Sequence, residues 1–328
     1  MSQNITTDGM LQEWGTRLFY GMPKKPKASK GNLIVGALGG ASMLSASAVR
    51  AQVRAAVRPK AKQVMIKITG GGRGMKAVAA HFRYISRQGK PEVGGRGQSL
   101  ELEDENGDKI AGAKNIEALQ YDWRMAGGYI PDESRRREVF NIILSMPAGT
   151  PADQVREAAR AFARESFEGH KFVFVLHEDT DSPHVHLAVR AERMDGVRLN
   201  PRKRDLQRWR ERFAERLQDR GINAVATRAA TRGVVRAPGQ LWRIRAGEEG
   251  RVRTPRSTVR SEASVNLARR LAIEVWGQVA KALAESTERE DRELASDVIR
   301  YVGEHFGQAA PEQHRDRPMG RGGAEPSR

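Results

Sequence analysis

Cysteine is absent from the 328 residues, which excludes a disulfide framework and any thiolate-ligated zinc, and fits a cytoplasmic protein. Acidic residues are in deficit, 40 against 57 Lys and Arg, for a formal charge of +17. Such an excess implies an anionic partner, with nucleic acid ahead of a membrane surface. It is concentrated: between Pro201 and Arg260 seventeen basic residues face six acidic ones. There is no internal repeat and no Walker-type phosphate loop, and Gly70-Gly-Gly-Arg-Gly74 reads as a flexible turn rather than a nucleotide cradle. Histidine is scarce at seven and tyrosine at five, so where they cluster carries information.

Three of the seven histidines fall in ten residues, His177-Glu-Asp-Thr-Asp-Ser-Pro-His184-Val-His186. Side chains alternate along a strand, so His184 and His186 project from one face. Phe172 to Leu176 predicts a preceding strand, and the polar 178–183 segment predicts the turn between them. Closing that hairpin brings His177 almost opposite His184. Three imidazoles then converge on one patch, and neutral imidazole is a common ligand for divalent metals.

Residues 1–62 read as a basic, weakly ordered arm ending in a short helix within Arg50 to Lys62. The uncharged stretch Gly31 to Val49 is nearly long enough to span a membrane, but it is rich in Gly, Ser and Ala, and no stable membrane insertion is expected. A domain over 63–236 follows: strand Gln63–Thr69, helix Met75–Arg87, an irregular polar connection from Gly89 to about Arg136, and strand Glu138–Met146. Next come a helix capped by Thr150 with Pro151 at its first position, the histidine hairpin, and a helix from about Arg204 to Arg220. Along that last helix Arg204, Arg208, Arg212, Arg216 and Arg220 recur every fourth residue. They form either a phosphate-tracking ridge or a solvated face partly neutralised by Glu211, Glu215 and Asp219. Residues 237–310 combine a basic linker with two helices, the second opened by a Thr287/Glu290 capping box, and 311–328 form a flexible tail. The element order predicts an α+β fold, a largely antiparallel sheet with helices on one side, plus a helical C-terminal region.

On the helix from Met75, the residues Met75, Val78, Phe82 and Ile85 form the apolar stripe and Tyr84 points nearly opposite. Core packing does not explain this tyrosine. Lys76, Arg83 and Arg87 surround its phenol with positive charge, a setting that attracts a phosphate.

The run from Met75 through His81-Phe-Arg-Tyr84-Ile-Ser-Arg87 to Lys90, then Leu144-Ser145-Met-Pro147-Ala-Gly149, then His177-Glu-Asp179 and His184-Val-His186, resembles in order the three motifs of conjugative relaxases. These are mobilisation nucleases of the HUH endonuclease superfamily, and the likeness, over about 63–235, is to the branch that includes the T-DNA border nuclease. The resemblance implies an HUH relaxase-like palm and a DNA relaxase that nicks and rejoins one strand at a plasmid transfer origin, without ATP. It implies Tyr84 as nucleophile, Mg2+ or Mn2+ held by His177, His184 and His186, Asp179 as an assisting acid, and Ser145 in contact with DNA. Arg83, Arg87, Arg208 and Arg212 are further candidates for DNA contact. Where that branch commonly has Asn, this chain has Arg190. Implied partners are single-stranded or locally melted DNA, relaxosome accessory proteins and a type IV coupling protein, with export of the DNA-linked protein. Two other readings stay open: a rolling-circle replication or transposition nuclease, and a non-catalytic DNA-binding accessory protein with a structural metal.

Overall fold

The computed structural model describes residues 6–20, 44–59, 61–88, 99–232 and 262–307. Its centre is set by one apolar strand, Val139–Ser145, which sends Phe140, Ile142 and Leu144 to one face and Val139, Asn141, Ile143 and Ser145 to the other. In chain order the strands are β1 (Lys62–Gln63), β2 (Met65–Gly70), β3 (Leu102–Asp104), β4 (Lys109–Ile110), β5 (Val139–Ser145), β6 (Phe172–His177), β7 (His184–Arg190) and β8 (Ala224–Val225). Six of them form a sheet in the order β2-β5-β7-β6-β3-β4, with every pair antiparallel. The remaining two, β1 and β8, pair in parallel.

Helices cover both faces of the sheet, not one. Helices α5 (Ala152–Ser166) and α6 (Lys203–Gln218) pack Val155, Ala159, Phe162, Trp209, Phe213 and Leu217 onto the face of Phe140, Leu144, Phe172 and Leu187. On the other face α3 (Met75–Ile85) and α4 (Ala113–Met125) bury Val78, Phe82, Ile116 and Trp123 against Val139, Val173, Val175 and Ala188. The reason lies in the central strands: β6 and β7 are apolar on both sides, and each side must be kept from water.

The connection expected to be irregular between Gly89 and Arg136 holds β3, β4 and α4. Helix α4 begins after Gly112, which has no capping side chain, so its start carries no sequence signal. Neither expected side-chain cap forms: Pro151 itself precedes α5, and Thr150 Oγ1 donates to Pro147 O. Likewise Glu288, not Thr287, precedes α8 (Arg289–Phe306).

Where a weakly ordered arm was expected, α1 (Thr7–Tyr20) and α2 (Ala46–Val57) are helices. They share a core with α7 (Glu262–Ala284) and α8, built on Leu11, Leu18, Val49, Val53, Trp276, Leu283 and Val298. Arg50 bridges this core, donating to Asp291 at 2.8 Å and to Asp8 at 2.8 Å. Tyr20 Oη donates to Glu211 on α6 at 2.5 Å, and Trp276 Nε1 to Thr231 O at 2.8 Å, which joins the helical unit to the sheet domain. The expected linker at 237–260 and tail at 311–328 lie outside the described residues. No helix among the described residues is long and apolar enough to cross a membrane.

Candidate active site

The hairpin of β6 and β7 closes in the register that places His177 directly opposite His184. One strand further, Ser145 of β5 pairs with His184, and beyond it Met65 of β2 pairs with Ser145. The next row on the same face runs Val175, His186, Ile143 and Lys67. The three imidazoles therefore share the α3 face at one end of the sheet, with ring centroids 4.4 to 5.4 Å apart. One nitrogen from each lies within 4.8 Å of the other two.

The donor set fits a divalent cation. Burial lowers the pKa of His177 and, with the neighbouring His177 and His184 adding to burial, takes that of His186 down to about 3. Those rings are therefore neutral at ordinary pH, the form that offers a lone pair. His184 Nδ1 donates to Ser182 O at 3.1 Å, which leaves its Nε2 as the ligand atom. His177 Nε2 donates to Ile85 O at 2.7 Å, so its lone pair is on Nδ1. The backbone carbonyl at the end of α3 thereby orients a histidine on β6.

Tyr84 is 53% exposed, and its ring meets that of His186 edge-on at 5.9 Å. The sequence placed it off the apolar stripe, and the structure places it over the triad. One turn earlier on α3, His81 lies near-parallel to Tyr84 with centroids 6.3 Å apart. Its spacing of three from Tyr84 was the available signal for a fourth histidine here, and the sequence reading did not use it.

Arg87 follows α3 with φ of 61°, the left-handed region that a non-glycine residue enters at a cost of about 1–3 kcal/mol. The turn aims its guanidinium at the triad, where Nη2 reaches His177 Nδ1 at 3.1 Å and also binds Asp179. Burial works to raise the Asp179 pKa, but Arg87 and His177 outweigh it and leave the carboxyl below its ordinary value. Ser145 is buried beside His184, while Arg83 is exposed next to Tyr84.

Two other candidates are not brought to this site. Arg208 and Arg212 lie on α6, which packs on the opposite face of the sheet. There Arg212 and Arg216 pair with Glu165 of α5 at 3.4 and 3.7 Å. Arg190 sits at the far end of β7 from His184, only 2% exposed, and donates to the carbonyls of Trp123, Gly128 and Glu192.

Residues 96–222 match the family described as "Relaxase: MobA/VirD2-like, nuclease domain". That span holds Ser145, Asp179 and the triad and begins after Tyr84. The chain is 28% identical over 198 residues to the T-DNA border endonuclease VirD2 of Rhizobium radiobacter, covering 55% of this chain and 45% of that protein. It is 29% identical over 196 residues to the namesake in Agrobacterium fabrum, covering 55% and 43%. The chain thus spans under half the length of these curated relatives. Together the triad on the β6–β7 hairpin, the matched residues and the relatives make this part of the chain similar to a relaxase nuclease domain of the MobA/VirD2-like type and to the T-DNA border endonucleases.

Proposed function

We propose that the protein nicks and rejoins one DNA strand at a plasmid transfer origin through a 5′-phosphotyrosyl link to Tyr84. The observation that carries this reading is a half-exposed tyrosine held 5.9 Å from a three-histidine cluster. Tyr84 Oη attacks the scissile phosphorus in line; the bond from phosphorus to the 3′ oxygen breaks, and that oxygen leaves and takes up a proton. The phenol gives up its own proton as the new ester forms. Because the ester keeps the energy of the phosphodiester, attack by the free 3′-OH reverses the step without ATP. Arg83 and Arg87 supply positive charge where negative charge builds on the phosphate. Asp179 holds Arg87, which moves off His177 Nδ1 when that lone pair takes the cation. His177, His184 and His186 would hold one Mg2+ or Mn2+, which would supply Lewis-acid charge to a bound phosphate.

The strand arrives single or locally melted, since the attacking oxygen must reach a phosphorus in line. Residues 63–236 are the nicking domain in this reading, and the helical unit is the part available to relaxosome accessory proteins and a type IV coupling protein. The protein acts in the cytoplasm and leaves it joined to DNA.

The test is adduct formation. With Mg2+ or Mn2+ and a transfer-origin oligonucleotide, the protein should form an adduct that survives denaturing electrophoresis and carries DNA by its 5′ phosphate. Tyr84→Phe should abolish it while DNA binding persists, whereas Phe at Tyr20, Tyr121, Tyr129 or Tyr301 should leave it. His184→Ala with His186→Ala should cut cleavage at least ~100-fold, in keeping with several kcal/mol of metal assistance. An adduct on another tyrosine would overturn Tyr84 as the nucleophile, and none with wild type while DNA binding is intact favours the accessory-protein reading instead.

A further inference from the structure

Helices α3 and α4 leave part of their sheet face open. On β2 the side chains of Met65 and Lys67 point to that face and are exposed, Met65 by 48%, while Val64 and Ile66 are buried on the other side. Their neighbours on β5, Ile143 and Asn141, are only half-buried, between buried Val139 and Ser145. A strip of sheet thus runs from Met65 and Ser145, beside His184, past Lys67 and Ile143 to Gly70 and Asn141.

One flank of α3 walls this strip. Phe82 meets Trp123 of α4 on the other flank, with ring centroids 4.9 Å apart. His81 and Tyr84 are about 60° apart around the helix and turn away from α4. Tyr84 touches His186, the direct neighbour of Ile143 on the strip, and His81 is near enough to help depress the His186 pKa.

Two polar atoms on these elements, His81 Nε2 of α3 and Asn141 Oδ1 of β5, are buried and find no hydrogen-bond partner among the described residues. Leaving such a group unmatched costs about 1–3 kcal/mol. Burial takes the His81 pKa down to about 4, so its ring is neutral and has one donor and one acceptor nitrogen. Neither residue has a place in the nicking step. Their chemistry is that of a base edge, and Lys67 on the same strip suits a phosphate.

We propose that this strip seats one nucleotide of the single strand next to the scissile phosphate, and that Asn141 and His81 read its base. Asn141 Oδ1 accepts from an exocyclic amino group, His81 Nε2 completes the contact at the same edge, and Lys67 pairs with a neighbouring phosphate. Adenine, cytosine and guanine carry such an amino group and thymine does not, so the site excludes thymine. The proposal rests on the nicking function above and names a determinant of its sequence preference.

The test uses the full chain bearing Tyr84→Phe, which cannot cleave, and single strands with a randomised window, sequenced after binding. One position should be depleted of thymine by about tenfold or more, as expected for a base contact worth ~1–3 kcal/mol. Adding Asn141→Leu, or His81→Phe, should erase that depletion while other positions keep their preferences. Asn141→Asp preserves the acceptor and should retain the depletion, which separates lost recognition from a damaged sheet; thermal melts check that each variant is folded. Unchanged discrimination in Asn141→Leu or His81→Phe, equal loss at every position, or loss in Asn141→Asp would overturn the proposal. Wild-type protein is then tested on the selected strand. A missing adduct there counts against the nicking reading alone, and an adduct with full thymine exclusion in Asn141→Leu counts against the base-reading site alone.

Discussion

Buried imidazoles make the site sensitive to acid in a direction that follows from their environment. Burial, first of all, lowers His81 to about 4 and His186 to about 3, whereas both take up protons near 6.5 in an unfolded chain. Between those limits the unfolded chain binds more protons, so stability is complete above about pH 6.5 and falls as pH drops toward 4. In chelator, the urea midpoint should decline across that window, and His81→Leu should flatten part of the decline. A midpoint independent of pH from 7 to 4.5 would mean that these rings are open to water. The triad was legible in the sequence because period two on a strand and a polar turn fix three side chains to one face. The partners of His177 were not: Ile85 O reaches it from the end of a helix, and Arg87 only through a left-handed backbone that no local pattern announces.

At the scale of elements, the sheet divides the basic surface into two parts on opposite faces. The α6 ridge was plain in the sequence as arginines every fourth residue, but periodicity says nothing of which sheet face a helix covers. Register does, and Lys67 reaches the triad face because β2 pairs with β5. Lys67→Glu should therefore weaken single-strand binding and reduce the slope of log affinity against log salt by roughly 0.7, the release from one phosphate contact. Arg212→Glu, which breaks a pair with Glu165 on the other face, should leave that slope unchanged. Equal effects of the two would place the DNA path across both faces. Arg190 likewise acts on an element rather than on the chemistry. It fastens the end of β7 to the end of α4 through the carbonyls of Trp123 and Gly128 and also holds Glu192 O, so Arg190→Ala strands buried acceptors and should cost at least about 2 kcal/mol in chemical denaturation. Metal binding, at the other end of the strand, should persist.

Over the whole molecule, helices far apart in sequence meet, α1 and α2 with α7 and α8. Helices α1 and α2 show only short amphipathic stretches, and the helices α7 and α8 that complete their core lie more than two hundred residues away, so their order could not be read locally. The Arg50–Asp291 pair shows the coupling: Asp291 is buried, and its hydrogen bonds from Arg50 hold its carboxyl below the ordinary range. Removing the cation leaves a buried carboxylate without its partner, a change that costs about 3–5 kcal/mol. Arg50→Ala should thus loosen α1, α2 and α8 together, seen as a joint loss of amide-exchange protection over 7–20, 46–57 and 289–306. Protection of β5, β6 and β7 should stay, because their core contains none of these residues. Loss confined to α2 would mean that the helices are held separately. Loss spreading through the central strands would mean that the Tyr20–Glu211 and Trp276–Thr231 contacts make the sheet domain depend on the helical unit for its own stability.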